Sequence, residues 1–119
     1  MASCSVMSPN GLITRVTCSD IVENFDNVVS ICMGATAVDN EDFIKLIKKY
    51  PIIAVNGCGS GCVDSILEKR GINIEESINV LKILNEDKLT PTRVSRMDDE
   101  AEKSVDAVNK RIIRIVDNF

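Results

Sequence analysis

The run Ile52-Ile53-Ala54-Val55-Asn56, stopped by Pro51 on one side and Gly57 on the other, restricts the fold of this chain more than any other segment. Its hydrophobicity is continuous rather than alternating, which is how a strand reads when both of its faces are covered. Such a strand belongs near the middle of a parallel sheet with helices packed above and below it. The neighbouring segments agree. Glu41 to Tyr50 carries Phe43, Ile44, Leu46 and Ile47, with acidic side chains first and lysines last, matching a helix dipole. Cys62 to Arg70 places Val63, Ile66 and Leu67 on one face and is stopped by Gly71.

Two longer helices are expected at the flanks. One runs from Asn10 to Asn24, entered through Ser8-Pro9-Asn10, with Leu12, Ile13, Val16, Ile21, Val22 and Phe25 along its apolar stripe. The other opens at Asp98-Asp99-Glu100 and carries Ala101, Val105, Val108, Ile112, Ile115 and Val116. Further strands are expected at Val28 to Cys32, a β-branched run, and at Ser77 to Leu84, where apolar and polar residues alternate. Only Met1 to Ser5 is available for a first strand, so it must be a stub. Alternation at these lengths predicts right-handed βαβ crossovers and an α/β fold: a three-layer, Rossmann-like domain with a small, mostly parallel sheet. At 119 residues and 45% hydrophobic, positions 1–119 are read as one domain. Asn85 to Met97, with Thr90-Pro91-Thr92, reads as a linker into the last helix.

Charge and composition then exclude whole classes of function. A net charge of −4, 3% aromatic residues and no tryptophan deny the chain the basic footprint and stacking platform of a nucleic-acid binder. No run approaches the roughly 20 apolar residues that span a bilayer, and the first residues lack a basic region followed by a hydrophobic stretch. A soluble, cytoplasmic protein with no membrane partner is the expectation. Five cysteines cannot all pair within one chain, and a reducing compartment keeps them as thiols. They are then available to hold a metal, to do redox chemistry or to fill the core.

Cys4, Cys32, Cys58 and Cys62 each stand where a short hydrophobic run gives way to a Gly/Ser-rich segment, and the chain has no histidine, so the expected site is all thiolate. If the apolar runs are parallel strands, the four sulfurs emerge at the carboxyl edge of the sheet, where such sheets bind ligands. Gly59, Ser60 and Gly61 separate Cys58 from Cys62 on a turn into a helix, and glycines let that turn fold tightly. A thiolate near a helix N-terminus is stabilised by unpaired N–H groups, which improves it as ligand or nucleophile. Four sulfurs satisfy tetrahedral zinc, and an iron–sulfur cluster equally well. Cys18 lies mid-helix beside Ile21 and Val22 and is read as a core thiol outside the site.

Two other motifs carry no chemistry. Gly57 to Gly61 lacks the lysine and hydroxyl pair of a Walker loop and the spacing of a dinucleotide fingerprint. The acidic groups at 39–42 and 98–100 stand at helix starts, where the dipole alone accounts for them. The first reading is therefore a zinc-holding accessory module; no general base is evident, and whether the protein is an enzyme stays open. The rivals are a thiol-redox or sulfur-transfer protein using Cys58 or Cys62 as nucleophile, and an iron–sulfur electron carrier. A protein partner or a homo-oligomer is equally left open.

At these residues the chain resembles the DGC-domain family, small proteins named for an Asp-Gly-Cys triplet. Cys4-Ser5 followed by Ser8-Pro9-Asn10-Gly11 is similar to the family's opening Cys-Ser-Gly and helix start. Cys32-Met33-Gly34-Ala35 is similar to its middle Cys-x-Gly segment, and Asn56-Gly57-Cys58 with Cys62 to the naming motif. The resemblance covers roughly the first two thirds of the chain and implies zinc binding through the four cysteines. Two departures stand out: Asn56 replaces the family's aspartate and Val6 a glycine. Neither removes a sulfur, and Asn56 is still able to donate a hydrogen bond to a thiolate.

Overall fold

The computed structural model describes residues 1–3, 8–31, 33–57, 60–94 and 96–118. Their order is β1 (Ala2–Ser3), α1 (Pro9–Asn24), α2 (Met33–Ala37), α3 (Glu41–Ile47), β2 (Ile53–Asn56), α4 (Cys62–Lys69), β3 (Glu76–Asn79), α5 (Val80–Glu86) and α6 (Asp99–Val116). The strands form a parallel sheet in the order β1-β2-β3. Ala2 pairs with Ala54 on one side and with Ile31, through an isolated parallel bridge, on the other. The two-residue stub is thereby an interior strand, which explains why so short a segment holds its place.

Side chains of the central strand alternate between two cores, as the pleat requires. Ile53 and Val55 join the core built by α1, α5 and α6, where Ile13, Ile21, Leu84, Val108 and Ile112 are fully enclosed. Ile52 and Ala54 join the opposite core, with Val63 and Leu67 of α4, Ile47 of α3 and Ile72. The result is a three-layer α/β arrangement around a small parallel sheet, as the continuous apolar run at 52–56 implies.

Helix ends are set by local chemistry. Ser8, Asn40 and Asp98 cap α1, α3 and α6, their side-chain oxygens accepting from Gly11, Phe43 and Ala101 N–H groups at 3.0, 3.0 and 2.9 Å. Gly71 ends α4 in the left-handed region at φ 68°, so that Ile72 N–H reaches the Leu67 carbonyl at 3.1 Å and Gly71 N–H the Glu68 carbonyl at 3.0 Å. Both hydrophobic partners of that closure, Leu67 and Ile72, are buried. Arg70 then ties α4 to the end of α2: its guanidinium lies 2.7 Å from the Asp39 carboxylate and donates to the Ala37 carbonyl at 2.7 Å.

Three expectations are corrected. The segment expected as a strand from Ser77 to Leu84 is strand only to Asn79. There the Asn79 side chain accepts from Lys82 N–H at 3.0 Å and starts α5, because Val80, Ile83 and Leu84 share a helical face and are buried together. The expected strand at Val28 to Cys32 reduces to the single bridge at Ile31, where Ile31 N–H donates to the Met1 carbonyl at 2.8 Å; Cys32 lies outside the described residues. The helix expected from Glu41 to Tyr50 ends at Ile47, and the short helix α2 was not foreseen.

Candidate functional site

The sheet order makes one edge special. From β1 the chain leaves toward Ile31 on one side and returns to β2 on the other, so the direction of winding reverses between β1 and β2. In open parallel sheets the loops diverge at such a point and leave a crevice beyond the carboxyl ends of the strands. The register sets Ser3 beside Val55 and Ala2 beside Ile31. Ser3, Ile31 and Gly57, the residues that immediately precede Cys4, Cys32 and Cys58, therefore stand at this one edge. Cys4, Cys32 and Cys58 themselves lie outside the described residues.

Cys62, the fourth expected ligand, is the first residue of α4 and is exposed. Gly61 before it takes φ 63°, a left-handed conformation that glycine adopts without penalty and that turns the chain into the helix. Among the described residues, no group of three or more His, Cys, Asp or Glu side chains is arranged to hold a metal. Cys62 and Cys18 are the free thiols there, and they differ sharply. Cys18 is enclosed by the α1/α6 core, and burial pushes its thiol up to about 11, against a hydrogen bond with Ser3 and the charge of the Met1 amino group. A thiol so placed is inert, as expected of a core cysteine.

A polar network missed by the sequence reading lies at the same edge. Asn56, at the carboxyl end of β2, is buried at 3% exposure. Its Nδ2 donates to Asp64 Oδ1 at 2.9 Å and approaches Ser77 Oγ and the Ile78 carbonyl at 3.4 Å. Its Oδ1 accepts from Asp64 N–H at 3.3 Å, and Ser77 Oγ donates to Asp64 Oδ2 at 2.6 Å. Asn56 thus acts as a distant cap for α4, whose own capping position is a glycine with no side chain to offer. Its amide, expected to be available to a thiolate, is engaged by Asp64 among the described residues. Sequence holds one faint signal of this network: an aspartate in the first turn of a helix that lacks a capping side chain.

A cavity of about 510 Å³ lies elsewhere. It is walled by Val28, Val29, Leu46, Tyr50 and Ile52 at the amino edge of the sheet, across the strands from Cys62. No helix of the described residues is long and apolar enough to cross a membrane. Residues 1–108 match the family model for the DGC domain. No match was found among curated proteins or among solved structures.

Proposed function

Since the chain belongs to the DGC-domain family, we propose that it is a cytoplasmic metal-binding module that holds zinc through the thiolates of Cys4, Cys32, Cys58 and Cys62. The observation that carries this reading is the common edge: Ser3, Ile31 and Gly57 end three adjacent lines of the sheet there, beside its reversal point, and Cys62 starts α4. The donor chemistry fits the ion. Zinc accepts four sulfurs in a tetrahedral shell at about 2.3 Å, and such a closed shell leaves no position for a reacting water. A tetrathiolate site is accordingly structural or a store of metal, and the protein acts as an accessory rather than a complete enzyme. Bound zinc supplies a cross-link between segments that are far apart in sequence.

Exposure of Cys62 supports a second reading, thiol exchange or sulfur transfer, because an accessible thiol at a helix start is open to attack on a partner disulfide or persulfide. Metal analysis of protein purified anaerobically without chelator separates the possibilities. Colourless protein with about one zinc per chain is the expected result. Visible iron–sulfur absorption favours the electron-carrier alternative. Folded protein free of metal, whose Cys58 or Cys62 labels rapidly, favours sulfur chemistry and overturns the zinc reading.

A further inference from the structure

We infer that Asp64 is a positioning residue for this site: its carboxylate, held by Asn56 and Ser77, latches the first turn of α4 to the carboxyl ends of β2 and β3 and so sets where Cys62 is presented. Three elements meet on this one side chain. Asn56 reaches it from β2 at 2.9 Å, Ser77 from β3 at 2.6 Å, and its own N–H returns to Asn56 at 3.3 Å. Asp64 is two residues beyond Cys62 on α4, so any shift in the latch moves the thiol with it. Gly61 imposes no comparable constraint, because it offers no side chain and its surroundings are open.

The network also dictates which position carries the charge. Residue 56 must donate to the Asp64 carboxylate and accept from the Asp64 N–H, and an amide does both. An aspartate at 56 has no donor, so the hydrogen bond to the Asp64 carboxylate is replaced by a contact between two acceptors. The negative charge of the pair has a single place, on the helix side. An asparagine at the end of β2 is therefore matched to Asp64 and Ser77 rather than being a neutral loss of a carboxylate.

The consequence for metal rests on the zinc reading, and the test separates the two. Four variants are compared with the parent: Asn56→Asp, Asp64→Asn, Ser77→Ala and the exchange Asn56→Asp/Asp64→Asn. Two readouts are taken on protein shown to be folded: zinc affinity by competition with a chromophoric chelator, and the alkylation rate of Cys62 in metal-free, reduced protein. Asn56→Asp is expected to weaken zinc by about 10- to 100-fold, in the range of lost supporting hydrogen bonds around a metal. It also changes the Cys62 rate several-fold. The exchange variant re-forms donor and acceptor in the opposite sense and recovers most of both.

Fold integrity is monitored by continued protection of Cys18. Variants that stay folded and keep both readouts at the parental value overturn the latch, as does an exchange variant no better than Asn56→Asp. A parent that binds no zinc refutes the metal reading alone, and the Cys62 rate then decides the latch by itself.

Discussion

Cys18 should give the protein a specific weakness in alkali. The thiol is 4% exposed on α1, and burial raises it from 9.0 to about 11. The folded chain therefore keeps this proton where the unfolded chain has released it. Stability contributed by the protonated thiol is complete below pH 9 and is lost as pH rises toward about 11. Each unit of difference corresponds to about 1.4 kcal/mol, so the loss across the window is about 2 to 3 kcal/mol. The same displacement lowers the thiolate fraction near neutral pH about 100-fold relative to an ordinary thiol, before steric protection is added. Burial lowers the Met1 amine from 8.0, so that group titrates below the window and does not confuse it.

The perturbation is Cys18→Ala, compared with the parent by urea unfolding under reductant at pH 8, 9, 10 and 11. Removing the sulfur costs about 1 kcal/mol at pH 8, through a small cavity. The variant then declines less steeply, and the two curves converge or cross before pH 11. Contributions common to both proteins cancel in the difference. Parallel decline of parent and variant from pH 9 to 11 would refute the claim that Cys18 is a buried neutral thiol.

Gly71→Ala should destabilise by about 1 to 2 kcal/mol in urea unfolding, since a Cβ at φ 68° meets open space and the cost is conformational alone; no change would mean the α4 closure shifts freely. Asp98→Ala removes the cap of α6 and should cost about 1 kcal/mol, read as a lower Tm, with a fully parental melt contradicting the capping geometry. On the proposed site, Cys62→Ser should abolish zinc retention through gel filtration while Cys18→Ser retains it; equal loss with intact folds would mean that the division between site and core is wrong. Adding a strong chelator to zinc-loaded protein should lower its Tm and leave that of Cys62→Ser unchanged.

How far the sequence reveals this molecule depends on how local each determinant is. The strand at 53–56 is legible because burial on both faces leaves no polar residue in it until Asn56. The helix starts at Ser8, Asn40 and Asp98 are legible because a cap is a contact over three residues. The junction at Asn79 is not, since Ile78 and Val80 suit a strand and only Ile83 and Leu84 show that the face has become helical. Ile31 is similarly hard to place: Val29, two residues before it, is 71% exposed, so hydrophobic pattern alone overstates the strand. At the site, the shared edge could be anticipated from strand ends. Asn56, Asp64 and Ser77 could not, because their contacts span 8, 13 and 21 residues and no pattern in the chain joins them.

Ala2 and Ala54, side by side and fully enclosed on the α4 face of the sheet, form a floor of single methyl groups. The depth at which α4 beds on β2 depends on the size of Ala54, because close-packed interiors pass displacement on rather than absorbing it. Enlarging Ala54, on the strand that α4 packs against, is expected to lift the helix, and the lift is carried to its first residue, Cys62. Residues with no polar atom in their side chains and no part in any ligand shell thereby act as a gauge block for the thiol edge, and core volume and site geometry are constrained together.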